Sequence, residues 1–178
     1  GTPRWKTLLC MVGRGAGKDG LIAFDGACSI SPYNPVGHYN VDICANNEEQ
    51  AVTPVKDLAE VLESPRYEAK LKKHYYHTKE LIQGRKNKGV MKGRTNNPKG
   101  RDGMRSGKVV FNEVHQFENY DNIKVFITGQ GKVAQPRVGL QRRGERWPAG
   151  RLSGAGPPHP ARRGGRPGLP ALYLLPEH

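Results

Sequence analysis

Cysteine is scarce in this sequence, and what there is does not pair. Cys10, Cys28 and Cys44 are the three cysteines among 178 residues. An odd count without repeated spacing excludes a complete disulfide framework and supplies no zinc-ligand pattern; the thiols suit a reducing compartment, as small buried apolar groups. Long hydrophobic runs are missing too. The longest near the N-terminus is about five residues, against the ~20 that a membrane-crossing helix needs, and no cleavable leader is visible. Position 1 holds Gly rather than Met, which we read as the start of a piece of a longer protein. Apolar residues make up 35% and mean hydropathy is −0.71, polar but sufficient at this length for one domain with a core. Acidic side chains are outnumbered. Against 29 Lys and Arg stand 16 Asp and Glu, a formal net charge of +13, which favours a polyanionic partner such as nucleic acid.

A second set of absences divides the chain. Residues 139–178 contain no Lys, Asp, Asn, Ile, Phe or Thr, and 22 of these 40 residues are Gly, Pro or Arg. Such a segment has too few spaced apolar residues to offset the entropy of ordering. Two readings stand side by side: a basic tail that binds nucleic acid, or the product of a shifted frame in a GC-rich gene, whose codons supply Arg, Gly and Pro. Either way the segment carries 7 Arg and 2 Glu, or +5, and the body keeps the other +8 of the +13. The expected organisation is a domain fragment over 1–137 and an irregular Arg/Gly/Pro-rich tail over 138–178.

Along the body, the apolar run Thr7–Val12 predicts a short buried strand, followed by a glycine loop and a helix from Asp19 to about Ser29 carrying Leu21, Ile22, Phe24 and Ala27. Tyr39–Ala45 reads as a second strand. Asn47 and Gln50 are expected to cap a helix running through Ala51, Val55, Leu58 and Leu62; Pro54 is expected to interrupt it, with Thr53 as a new cap. Ser64-Pro65 opens a further helix with Tyr67, Leu71, Tyr75, Leu81 and Ile82 on its apolar face. Gly93–Lys108 is a basic loop, and Lys108–Phe111 and Asn122–Thr128 read as strands. Strands alternating with helices predict an α/β fold with a mostly parallel sheet flanked by helices.

The chemistry is concentrated in two stretches. "VGRGAGKDG" follows the first strand. Glycines let successive backbone N–H groups turn toward one phosphate at the positive end of the next helix, and a lysine reaches the β/γ-phosphates. Gly13, Gly15, Ala16 and Gly17 form the cradle and Lys18 the charge. The strict P-loop pattern has Gly at 12 and Ser or Thr at 19, where this chain has Val12 and Asp19. "KVVFNEVHQFENYDN" is an apolar strand ending in Asn112-Glu113. In nucleotide-hydrolysing α/β proteins such a strand ends in Asp-Glu: the first residue tunes Mg²⁺ and the Glu polarises the attacking water. Both departures fit one exchange, in which the carboxylate has moved across the metal from 112 to 19. Asp19 and Asn112 would then supply the oxygen ligands that Mg²⁺ requires.

Taken together, "VGRGAGKDG", "ANNEEQA" and "VVFNEVHQFENYDN" resemble the ATPase domain of a tailed-phage large terminase subunit, over roughly residues 5–137. The resemblance implies a P-loop NTPase-like fold, here incomplete. It also implies ATP and Mg²⁺ as cofactors and ATP-driven movement of duplex DNA into a capsid. On the same ground, Arg14 matches the family's basic residue four positions before the lysine, Lys18 its phosphate-binding lysine and Glu113 its catalytic glutamate. Asp19 and Asn112 occupy metal-site positions but differ in type. Expected partners are duplex DNA, a small terminase subunit, the capsid portal and further copies of the chain, in the host bacterial cytoplasm. The family's upstream adenine-binding segment, the coupling motif after the Walker B strand and the nuclease domain have no counterpart in the sequence.

Other residues leave more than one reading. Arg94, Arg101 and Arg105, with Lys99, sit in the basic loop as an arginine finger toward a neighbouring subunit's nucleotide, as contacts to DNA phosphates, or as a solvated surface. His74 and His77 sit three apart on the predicted helix without a third metal ligand nearby. His115 either orients Glu113 or packs. "GQGK" (Gly129–Lys132) reads as a turn. Two other functions share these motifs: a helicase-like P-loop ATPase, and a nucleotide- or DNA-binding module without catalysis.

Overall fold

Glycine at positions 13, 15 and 17 separates a strand from a helix, and that junction organises the molecule. The computed structural model describes residues 6–13, 15–95, 105–117, 121–130, 134–143 and 171–175. Strand β1 (Thr7–Val12) buries Cys10 and Val12, and helix α1 (Lys18–Ser29) buries Ile22, Ala23, Gly26 and Ser29 on one face. Strand β2 (Asn40–Ala45) is buried from Val41 onward. Helix α2 (Glu48–Glu63) starts at Asn47, whose side chain accepts from the Gln50 N–H at 2.8 Å. Glu48 and Glu49 in its first turn complement the helix dipole. Its buried residues, Ala51, Pro54, Val55, Leu58 and Leu62, repeat at helical spacing.

Four expectations need correction. Pro54 does not break α2, which runs through it without interruption. The helix opened by Ser64-Pro65 is a single turn, α3 (Glu68–Leu71), and the chain then forms a hairpin of β3 (Tyr75–His77) and β4 (Leu81–Gly84). The hairpin wins because β4 pairs with β5 (Val90–Thr95) and sets Ile82 opposite Met91, both fully buried. His74 and His77 are thus not on a helix. Thr95 and the two residues before it belong to β5 rather than to a loop. Asn122–Thr128 lies in helix α4 (Asp121–Gly129), where packing overrides the strand preference of its β-branched residues: Phe126 meets Phe111 edge-to-face at 5.9 Å.

Strand β6 (Ser106–Phe111) is buried along its whole length and leads into a single 3-10 turn, Val114–Gln116. The last two strands are β7 (Arg137–Arg143) and β8 (Ala171–Leu175). The eight strands lie in the order β3-β4-β5-β2-β6-β7-β1-β8. The run β5-β2-β6-β7-β1 is parallel, and the flanking pairs are antiparallel. Past position 137 described residues also join the sheet: residues 138–143 continue β7, with Val138 and Leu140 packed against the core, and β8 pairs with β1.

The sheet carries a core on each face. On one, α1 and α2 cover Val41, Ile43, Ile82, Met91 and Val110. On the other, α4 and the 3-10 turn cover Cys44, Val109 and Phe111. Adjacent residues of β6 serve opposite faces, as strand alternation requires. Gly93 has a steric reason: a Cβ there would lie 2.6 Å from the Ala51 carbonyl, because α2 presses directly onto β5. This parallel arrangement brings the C-terminal ends of β1 and β6 to one edge, separated by β7, where α/β sheets bind ligands.

Candidate functional site

The loop after β1 takes its shape from two glycines with positive φ, Gly15 at 77° and Gly17 at 71°. A side chain at either position would be strained. Gly17 is also the N-cap of α1, with no side-chain cap, so the first N–H groups of the helix face the loop without an internal acceptor. The Ala16 N–H closes the turn on the Gly13 carbonyl at 3.3 Å. This is the backbone of an anion cradle. A cavity of about 490 Å³ opens over it, lined by Gly13, Gly15, Ala16, Gly17, Lys18, Asp19, Asp57 and Glu113, among others.

From the end of β6, Glu113 reaches this cavity, and Asn112 is buried behind it in contact with Lys18 and Asp19. The Lys18 ammonium lies 3.0 Å from Glu113 Oε1 and donates to Asn112 Oδ1 at 3.0 Å and Asp19 Oδ1 at 3.2 Å. Asn112 Nδ2 donates to Asp19 Oδ1 at 3.2 Å and to the Gln50 carbonyl at 3.1 Å. Glu113 is 7% exposed and holds φ 55°, ψ 47°, a left-handed conformation uncommon outside glycine. Its Oε1 is paired with Lys18, but Oε2 is buried without a hydrogen bond. His115 Nδ1 lies 3.4 Å from Oε2, near enough to attract it when the imidazole is protonated but without hydrogen-bond geometry. Among the described residues, Glu113 Oε2 and Gln50 Oε1 are the buried side-chain oxygens in this position, and both belong to residues at this edge.

The structure therefore brings Gly13, Gly15, Ala16, Gly17, Lys18, Asp19, Asn112 and Glu113 together. Arg14 and Arg101, and Lys99 with them, lie outside the described residues, as does the second half of "GQGK", Gly131 and Lys132; Gly129 ends α4. Arg94 is on β5, not in a loop. Its Nε donates to Asp42 Oδ1 at 2.6 Å, and Ser106 Oγ bonds the other oxygen of the same buried carboxylate. That pairing commits Arg94 to holding β5 to β2. Arg105 is exposed at the opposite end of β6, roughly 20 Å from Asn112 by strand rise. No group of three or more His, Cys, Asp or Glu among the described residues is arranged to hold a metal by itself.

Three participants had no signal in the sequence that tied them to the site. Asp57 enters the cavity wall from α2, and its carboxyl is pushed above the ordinary range by burial first, then by the charges of Asp19 and Glu60. Gln50 and Pro54 reach the site through the backbone of α2, as developed below. Only the packing of α2 against α1 and β5, and the hydrogen bond from Asn112 to the Gln50 carbonyl, could reveal them.

A glycine cradle at a helix N-terminus, facing a buried Asn-Glu pair across one inserted strand, defines a P-loop-type α/β domain. Solved structures similar in fold include phage proteins. The large terminase of bacteriophage HK97 superposes with a TM-score of 0.64 at 19% identity, over 75% of this chain and 29% of that one. The large terminase ATPase domain of Thermus phage P74-26 gives 0.56 at 14% identity, over 82% and 63%. The large terminase of a thermophilic bacteriophage in complex with ADP gives 0.58 at 11% identity, over 78% and 34%. The chain thus has the fold of large-terminase ATPase domains and spans about a third of the length of the full terminases it matches. No protein-family model and no curated protein matches the sequence.

Proposed function

We propose that this chain is an ATP-hydrolysing motor module of a phage DNA-packaging terminase. The observation that carries the reading is the meeting of Lys18 and Glu113, at 3.0 Å, under a helix-capping glycine loop. Lys18 and the loop N–H groups would hold the β/γ-phosphates, with Arg14 as a further phosphate contact. Glu113 would take the proton of the attacking water, and the ammonium of Lys18, 3.0 Å from its Oε1, holds the carboxyl at the cavity wall. Its strained backbone and a buried Oε2 without a hydrogen bond mark it as a group held ready for a ligand.

Mg²⁺ fits these residues as a companion of the nucleotide. Asp19 and the Oε2 of Glu113 are hard oxygen donors at the same cavity, and Mg²⁺ takes few protein ligands when phosphates and water complete its shell. Bound there, Mg²⁺ would neutralise charge on the phosphates. Asn112 would orient the two charged groups, since its Oδ1 faces Lys18 and its Nδ2 faces Asp19. Duplex DNA, a small terminase subunit, a capsid portal and further copies of the chain are the partners this reading implies. The +8 of the body suits DNA. No helix among the described residues is long and apolar enough to cross a membrane.

A second reading, a nucleotide-binding module without turnover, draws on Asn112 standing where hydrolases carry a carboxylate. Steady-state ATP hydrolysis with Mg²⁺ and duplex DNA separates the two. Turnover abolished in E113A supports the motor reading. ATP binding without turnover, equal in wild type and E113A, supports the binding module, and no ATP binding at all overturns both.

A further inference from the structure

A proline inside a helix leaves one carbonyl without its donor and pushes that carbonyl outward, because the ring occupies the place of the N–H. In α2 the proline is Pro54, fully buried, and the carbonyl four residues earlier is that of Gln50. That carbonyl accepts from Asn112 Nδ2 at 3.1 Å. Asn112 is 1% exposed, and its carboxamide is engaged on both sides: Nδ2 also donates to Asp19 Oδ1, and Oδ1 accepts from Lys18 Nζ. The Gln50 N–H is pinned separately by Asn47, and the neighbouring Ala51 carbonyl is seated against Gly93 of β5. The stretch that supplies the acceptor is therefore fixed on both sides.

We propose that Pro54 and the Gln50 carbonyl form a positioning pair for the candidate site. The acceptor created by Pro54 fixes which way the Asn112 carboxamide points, and the carboxamide in turn holds the Lys18 ammonium and the Asp19 carboxylate in place. The pair also accounts for the residue type at 112. A carboxylate there would face the Gln50 carbonyl and Asp19 with oxygen on every side, whereas an amide offers two donors to those two acceptors. Pro54 is a positioning residue acting through Asn112, and its role in nucleotide binding rests on the function proposed above.

The test uses the full chain and the P54A variant, which restores the helical N–H and draws the Gln50 carbonyl back along the axis. The first readout is independent of nucleotide: the side-chain amide resonances of Asn112 by NMR. They should shift in P54A, and their exchange with solvent should quicken about five- to tenfold, the equilibrium worth of one hydrogen bond. Unchanged Asn112 amide resonances in P54A overturn the proposal. The second readout is the Kd for Mg-ATP in a double-mutant cycle. P54A should weaken binding about five- to tenfold in the wild-type background and leave it unchanged in N112A; an equal loss in both backgrounds means a merely structural role and also overturns it. A third arm reads unfolding midpoints alone. P54A should raise the midpoint of N112D by more than it changes that of the wild type, and equal changes count against the pair. If the amide resonances move as expected but neither chain binds ATP, the positioning pair stands and the nucleotide reading fails.

Discussion

Helix α1 is tied to strand β6 at both ends, each time by a lysine and a carboxylate, and the two ties differ in kind. In the first half of β6, Lys108 of the strand meets Asp25 of the helix at 2.7 Å. At its far end the roles reverse, and Lys18 of the helix meets Glu113 just beyond the strand at 3.0 Å. The first is a closed pair: Lys108 is buried, Asp25 is half exposed to water, and one hydrogen bond joins them. At the second, the ammonium is shared among Glu113, Asn112 and Asp19, one carboxylate oxygen has no hydrogen bond, the backbone of Glu113 is left-handed and a cavity of about 490 Å³ lies alongside. A lysine–carboxylate pair by itself separates nothing. What separates a fastening from a site is surplus: more acceptors than one cation needs, an unsatisfied buried atom, and room for a ligand.

Removing groups at each tie should break this comparison in opposite ways. The largest effect is expected on turnover. K18A and E113A should each lower ATP hydrolysis by about 10²- to 10⁴-fold, the range for a lost acid–base or electrostatic group, with the circular-dichroism spectrum of the folded chain retained. Turnover within threefold of wild type in E113A would remove Glu113 from the chemistry. At the other tie the effect should be on stability and should be asymmetric. D25A leaves a buried ammonium without its partner and should cost about 2–3 kcal/mol in urea unfolding, below the fully buried range because Asp25 is half exposed. K108A leaves only a half-exposed carboxylate and should cost less in charge terms. Equal losses would mean that Lys108 matters by packing alone.

Smaller effects sharpen the contrast within the site. N112D sets a carboxylate against Asp19 and should depress nucleotide affinity, whereas D19S/N112D restores one donor and one carboxylate and should recover most of it; Kd for Mg-ATP across the three variants reads this directly. Failure of the double variant to improve on N112D would end the idea that the two positions act as a pair. The smallest effect is expected at Asp57. Its pKa in the folded chain is raised by burial and by Asp19, so ionisation opposes folding. Wild-type stability relative to D57N should then be fully present below the unfolded carboxylate pKa of about 3.9 and fall as pH rises through the higher folded value. Thermal unfolding of both chains from pH 3 to pH 7 should show D57N gaining on the wild type as pH increases, and a constant difference would show that Asp57 is not coupled to the site.

Much of the candidate site lies in segments whose form is local. Glycines that tolerate positive φ, a helix beginning at Lys18, an asparagine cap at 47 and an apolar strand closing on Asn112-Glu113 depend on residues within a few positions of one another. Composition marked the segment after 137 as different, yet residues 138–143 and 171–175 pair in the sheet. From these local signals the alternating α/β order and the mostly parallel sheet could be read.

The rest was decided by contacts between residues far apart in the chain. "YYH" became a strand because β4 was held by β5, and "NIKVFIT" became a helix because Phe126 had Phe111 to pack on. Arg94, read from its basic neighbours as a contact for a partner, is bound to Asp42, 52 positions earlier. Pro54 looked like a helix break because propensity charges it with a lost hydrogen bond; the carbonyl it frees is instead used by Asn112, 62 positions from Gln50. The sequence alone determined which short segments could cradle an anion and which strand could end in a carboxylate. Only the tertiary structure decided what those groups face, because hydrogen-bond partners and burial are set by the packing of α2 and β6, and no local pattern records it.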